Sequence, residues 1–298
     1  MGDRTLTLPD GRVLAYSDVG PADAPVAMYF HGAPSSRLDL RVGGIDEQLA
    51  ARGIRVVSPD RPGYGGSSPQ PARAMSDWAR DVGVLADHLG IDRFAVFGVS
   101  SGGPYAVAVA ALLGHRVNGC GVIAGVTDMA WVPAWEDYDE AEVALMRTGS
   151  EDEAIAWCQH RFGFDGAGLL SGGTYELSDA DLALFDDEAM ATGFMATTME
   201  ALRQGVVGFA QDIWLQGRPW TFDPASIVAP CHVLHGEADT IVPVRHARHT
   251  AAVIPGASLV TLPGSPRSCS CSSPPRERPP RADRARPQPG GRWQSAVA

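Results

Sequence analysis

Phe94-Ala95-Val96-Phe97-Gly98-Val99-Ser100-Ser101-Gly102-Gly103-Pro104-Tyr105-Ala106-Val107-Ala108 passes from an apolar strand-like stretch through a glycine-rich turn into a small-residue helix. Its centre, Gly98 to Gly102, matches G-x-S-x-G, the elbow that presents a serine between a strand and a helix. Small residues are required on both sides because the turn packs backbone against backbone and strains the serine's own dihedrals. The five-residue pattern alone arises in any Gly/Ser-rich chain, but the flanking strand and helix give it meaning. Ser100 is therefore the candidate nucleophile, with a plain tight turn as the alternative. The backbone N–H of Ser101 would be one oxyanion donor.

Outward from this turn, apolar strand-like runs alternate with helical patterns, the signature of a parallel sheet covered by helices. Thr5–Leu8 and Arg12–Tyr16 suggest a hairpin turned at Pro9-Asp10-Gly11. Strands are expected at Val26–Phe30, Ile54–Ser58, Phe94–Phe97 and Val117–Ile123, with helices at Ile45–Ala51, Met75–Leu89 and Pro104–Leu113. From Trp131 to Trp220 no strand-like run occurs, and the spacing predicts helices at 142–146, 153–160, 182–190 and 195–215. Ser150 and Glu153 have the spacing of a capping box. This stretch holds five of the seven tryptophans, more apolar surface than short isolated helices can hide, which points to a lid over the remainder. Alternation resumes with a strand at His232–His235, a helix at Val244–Val253 and a strand at Ser258–Leu262.

Four motifs at strand ends carry a resemblance. They are His31-Gly32-Ala33-Pro34, Asp60-Arg61-Pro62-Gly63-Tyr64-Gly65, Gly98-Val99-Ser100-Ser101-Gly102-Gly103, and Gly236-Glu237-Ala238-Asp239-Thr240-Ile241-Val242-Pro243. In this order the chain resembles the α/β-hydrolase superfamily over residues 5–262. The resemblance implies an α/β-hydrolase fold with a mostly parallel sheet flanked by helices. Its core would be 1–130 and 221–262, with an inserted helical cap at 131–220. It also implies a second oxyanion N–H at Ala33, in the His31-Gly32 oxyanion loop, and a triad acid at Asp239. Asp128, after the sixth strand, is the alternative acid, and either aspartate could instead cap a helix. His31 reads as a structural loop residue rather than a base, and Asp60 as a brace for its loop. A serine at the elbow sets the chain apart from epoxide hydrolases and haloalkane dehalogenases, which need a carboxylate there. What remains is hydrolysis of a carboxylic ester or related acyl bond, or perhydrolysis on the same triad.

The resemblance also calls for a histidine in the loop after the last strand, where this chain has Pro263-Gly264-Ser265-Pro266-Arg267. A guanidinium cannot accept the serine's proton. The last histidine of the chain is His249, and residues 264–298 contain seven arginines and seven prolines with almost no large apolar residue. Segment 263–298 therefore reads as a disordered tail. A frame-shift near Gly264 would produce this composition in a GC-rich gene, and the absence of lysine among the 24 basic residues fits such a gene. Two other readings stand beside it. The chain could be a pseudo-hydrolase that binds a small apolar ligand, or the base could be His246 or His249, whose spacing suggests the exposed face of a helix.

A net charge of -11 argues against nucleic acid or an anionic membrane as partner. No apolar run is long enough to span a bilayer and no signal-like stretch follows Met1, so a cytoplasmic location is expected. Cys269 and Cys271 lack the further ligands of a zinc site. No cofactor or metal is implied. The expected partner is a small-molecule substrate with an apolar portion, suggested by Trp131, Trp135, Trp157 and Trp214. Simple packing of those rings is the competing explanation.

Overall fold

Alternation in the strand before the elbow sets the register of the whole sheet. Phe94, Val96 and Gly98 are buried on one face, and the residues between them are half-buried on the other, as expected of a central strand covered on both sides. The structure, a computed structural model, describes residues 3–170 and 179–265. The expected disordered tail lies almost entirely outside the described residues, as do Arg267, Cys269 and Cys271.

The first strands are β1 (Arg4–Thr7), β2 (Val13–Val19) and β3 (Val26–Phe30). Next come α1 (Ile45–Ala51), β4 (Arg55–Pro59), α2 (Asp77–His88), β5 (Phe94–Val99), α3 (Gly103–Leu112) and β6 (Val117–Ile123). The α-helices that follow among the described residues are α4 (Glu140–Met146), α5 (Glu151–Phe162), α6 (Ala167–Leu170), α7 (Asp179–Leu182), α8 (Glu188–Ala201) and α9 (Val207–Gln216). The chain then returns to the sheet with β7 (Cys231–Gly236), α10 (Arg245–Val253) and β8 (Ser258–Leu262). The eight strands lie in the order β1-β2-β4-β3-β5-β6-β7-β8. Strand β2 runs antiparallel to β1 and β4, and the remaining pairs are parallel.

That order reverses direction between β3 and β5. After β3 the chain crosses to β4 on one side; after β5 it proceeds to β6 on the other. A crevice must open at the carboxyl ends of β3 and β5, where ligands bind in open α/β sheets. Topology alone therefore brings the loop after Phe30 beside the turn at Ser100.

Helix α2 covers the sheet with Trp78, Val82 and Leu85, all nearly inaccessible and packed with Phe94, Val96 and Tyr105. Helix α3, mostly alanine and valine after Gly103-Pro104-Tyr105, is buried from Gly103 through Ala110, as a helix apolar on every side must be. A second apolar cluster joins Tyr64 to Leu145, Met146, Phe162 and Phe209 of the helical segment.

Within that segment the chain departs from its spacing. The helix expected at 182–190 is broken at Asp187, whose carboxylate accepts from the N–H groups of Ala189 and Met190 and starts α8. The helix expected at 195–215 is broken between Ala201 and Val207, where Gly205 takes φ +84° against the Phe164 carbonyl. At the start of α5, Ser150 Oγ accepts from Glu153 N–H, but the Glu153 carboxylate accepts from Gly149, one residue too early for a box. The reciprocal capping box lies instead at Asp139 and Glu142, opening α4. Truncating Leu85 to alanine should lower stability by about 2–5 kcal/mol, read from urea denaturation midpoints. A smaller loss would mean that the core beneath α2 collapses into the space.

Candidate active site

Gly98 and Gly102 explain why the elbow has its sequence. A Cβ at Gly98 would fall on the Gly102 carbonyl, and one at Gly102 would fall on the Phe30 carbonyl. With both positions reduced to backbone, β5 can turn directly into α3 against the end of β3. The turn forces Ser100 to φ +56°, a left-handed conformation that costs a non-glycine residue on the order of 1–3 kcal/mol. Ser100 is thereby thrust out at the crevice and is 5% exposed.

The loop after β3 closes in from the other side. A Cβ on Gly32 would sit 3.5 Å from Ser100 Cβ, in van der Waals contact, so the backbone of this loop passes directly beside the serine. Ala33, Ser100 and Ser101 line a common cavity with Met146, Ile213 and Gln216, among other residues. Its volume of about 30 Å³ is enough for one or two water molecules. Gln216 accepts a hydrogen bond from Ser101 Oγ at 3.0 Å and donates to the Tyr138 hydroxyl at 3.2 Å. None of the four tryptophans is among the residues that line the cavity. Trp131 stacks on His249, Trp157 packs on Phe162, and Trp135 and Trp214 donate to the carbonyls of Met129 and Thr148.

His31 is fully buried and both of its nitrogens are occupied. Nδ1 donates to the Gly32 carbonyl at 2.7 Å and Nε2 accepts from Arg61 N–H at 3.1 Å. Burial, reinforced by the Arg61 charge, pushes its pKa well below the ordinary histidine value. It is a neutral fixture of the loop. Asp60 braces the next loop, accepting from Arg37 N–H, Arg37 Nη1 and Gly66 N–H.

Asp239 sits past the end of β7, buried, with Oδ1 accepting from the N–H groups of Ile241 and Val242 at 2.9 Å each. Its Oδ2 lies 3.4 Å from His235 Nε2, whose proton goes to the Val242 carbonyl at 2.6 Å. The loop after β8 runs alongside, because Ala238 N–H donates to the Ser265 carbonyl at 3.0 Å. Asp128 is half-buried and accepts from the N–H groups of Ala130 and Trp220 through Oδ1.

The expected exposed helical face for His246 and His249 is corrected. His246 is fully buried and His249 partly so. The face of α10 that carries them turns inward against Thr127 and the segment around Asp137. His246 Nε2 meets the Asp137 carboxylate at 3.0 Å, so Nε2 carries the proton, and Nδ1 accepts from Thr127 N–H at 3.2 Å. Thr250 donates to Thr127 Oγ1, leaving the Thr127 hydroxyl proton for His249 Nδ1 at 2.8 Å. The basic nitrogen of each ring is therefore already taken. Among the described residues, no hydrogen bond joins Ser100 Oγ to a histidine.

A buried charge cluster behind the loop escaped the sequence. Arg61, Arg73, Tyr105 and Asp212 are all almost completely inaccessible. Arg61 Nε and Nη2 hold Asp212 Oδ2 at 2.8 and 2.6 Å, while Arg73 and the Tyr105 hydroxyl hold Oδ1. Burial raises the Asp212 pKa, but the two guanidinium groups outweigh it and leave the carboxyl below its usual range. Arg61 and Asp212 are separated by 151 positions, so no local pattern links them. The one available signal was an arginine inside an otherwise apolar and glycine-rich loop.

Gly98→Ala should lower the thermal midpoint and disorder the Ser100 turn, read by calorimetry and by loss of serine-directed labelling. An unchanged midpoint would mean that the backbone contact at Gly102 relaxes freely. His246 yields a pH prediction. Burial, outweighing Asp137, pushes its pKa down to about 4 in the folded chain. The unfolded chain, with an ordinary value near 6.5, therefore binds the proton more readily. That contribution is complete above pH 6.5 and is lost as pH falls toward 4, by roughly 3 kcal/mol. His246→Asn should flatten the urea-midpoint profile over this window, and a profile parallel to the parent's would refute the assignment.

The sequence profile of the α/β hydrolase fold matches residues 25–268. A bifunctional esterase/perhydrolase of Acinetobacter calcoaceticus is 26% identical over 88% of this chain and 91% of its own length. A non-heme haloperoxidase of Rhodococcus erythropolis is 27% identical, covering 87% of this chain and 90% of its own. Among solved structures, a thermophilic esterase from Thermogutta terrifontis superposes with a TM-score of 0.66 at 24% identity, covering 90% of this chain and 92% of that one. With the sheet order, the strained serine turn and these likenesses together, the chain belongs to the α/β hydrolase fold family.

Proposed function

We propose that this hydrolase acts on a carboxylic ester or a closely related acyl bond through an acyl-enzyme, with Ser100 as nucleophile. One observation carries the reading: Ser100 is held at φ +56° and lines a cavity together with Ala33 and Ser101. Ser100 Oγ attacks the acyl carbonyl. The N–H groups of Ala33 and Ser101 receive the oxyanion, aided by the N-terminus of α3 beneath them. Expulsion of the alcohol leaves the acyl-serine, which water then hydrolyses.

Asp239 is the acid in this scheme, already fixed by two backbone donors and able to orient an imidazole. The helical segment at 131–220 serves as the lid, contributing Tyr138, Met146, Ile213 and Gln216 to the cavity wall. Met146 and Ile213 favour an apolar acyl or alcohol portion. The esterase and perhydrolase named among the relatives support the same chemistry.

The general base limits the rate. Loss of the histidine from a Ser-His-Asp triad costs about 10⁶ in turnover, or roughly 8 kcal/mol of barrier, leaving oxyanion stabilisation. Hydrolysis of p-nitrophenyl acetate by this chain is therefore expected to be slow, and the acetyl group it leaves on Ser100, read by mass spectrometry, to be absent from Ser100→Ala. Acetylation at a residue other than Ser100, or undiminished in Ser100→Ala, would refute Ser100 as nucleophile. A rate typical of a complete triad, lost in Ser100→Ala, would instead refute the missing base.

A further inference from the structure

The peptide that would supply the Ala33 N–H is gripped from behind by a single side chain. Arg61 Nη1 donates to the His31 carbonyl, and Arg61 Nη2 donates to the Gly32 carbonyl at 3.0 Å. His31 Nδ1 adds a second bond to the Gly32 carbonyl. In a trans peptide the N–H points opposite to the carbonyl. Fixing the Gly32 carbonyl on the buried guanidinium therefore sends the Ala33 N–H the other way, while Ala33 lines the cavity beside Ser100.

We propose that Arg61 is the positioning residue of the oxyanion hole, aiming the Ala33 N–H by clamping the two carbonyls behind it, with Asp212 of α9 holding Arg61 in place. The inference rests on the acyl-transfer reading for its consequence in catalysis, but not for the geometry of the peptide. Arg61 is suited to the task because a planar guanidinium offers several donors in fixed directions; it bonds two carbonyls and the carboxylate at once. A lysine keeps the charge and loses the fork.

The cluster contains its own control. Arg73 is also buried and shares Asp212, and it bonds the Tyr105 hydroxyl; among the described residues it makes no hydrogen bond to the oxyanion loop. Arg61→Lys and Arg73→Lys therefore make the same chemical change on the same carboxylate, and only one of them touches the loop. In the full chain, p-nitrophenyl acetate hydrolysis should lose about 10- to 100-fold in kcat with Arg61→Lys while KM stays within about threefold. Arg73→Lys should lose less than about threefold, although both variants lower the thermal midpoint to a similar extent. A crystal structure of Arg61→Lys should show the Gly32–Ala33 peptide rotated away from Ser100. Equal kcat losses in the two variants, or a peptide that keeps its orientation in Arg61→Lys, would overturn the proposal. If no acetyl group is transferred to Ser100 of the parent chain, the acyl-transfer reading falls. The peptide orientation in Arg61→Lys then decides the role of Arg61 by itself.

Discussion

Backbone touching backbone, with no side chain between, is the constraint on which this molecule turns. Gly102 lies against the Phe30 carbonyl and Gly98 against the Gly102 carbonyl, so that β3, β5 and α3 meet within one peptide thickness. The sheet reverses its order at that place. The crevice, the left-handed serine and the approach of Gly32 all follow from the contact. A methyl group at either glycine would separate the elements and undo each of them. Strain at Ser100 is sustained because the surrounding strands and the buried α3 leave the turn no other conformation.

The second organising feature is electrostatic. Isolated charges in an interior cost several kcal/mol each unless they are paired and hydrogen-bonded. Asp212 meets two guanidinium groups and a phenol, so its carboxylate is paired and hydrogen-bonded on both oxygens. The cluster ties three parts of the chain that are distant in sequence: the loop between β4 and α2, α3, and α9. It joins the helical segment to the sheet by directional bonds, whereas the neighbouring contact through Tyr64 and Phe209 is apolar and tolerates sliding.

How much of this was legible depended on range. The elbow, the His31-Gly32 loop and the strands around them rest on local patterns, and the turn at Ser100 has the form that its glycines demanded. The segment at 182–215 was harder, because its breaks come from an aspartate cap at Asp187 and a left-handed Gly205 inside continuous helical spacing. His246 was misread for a related reason. The spacing of a short helix identifies two faces, but the residues that cover one of them, Thr127 and Asp137, arrive from more than a hundred positions away. The Arg61–Asp212 pair is the extreme case, since each half is an unremarkable charged residue until the fold brings the two together.

That pairing also bears on how the sequence can change over generations. Arg61, Arg73, Tyr105 and Asp212 bond one another inside the protein. Removing any one charge strands the others at a cost of about 3–5 kcal/mol, a large part of a domain's total stability. Drift at these four positions is therefore blocked one step at a time and open only to concerted replacement. In a set of descendants, the four should be inherited as a block or exchanged as a block, with few mixtures surviving between.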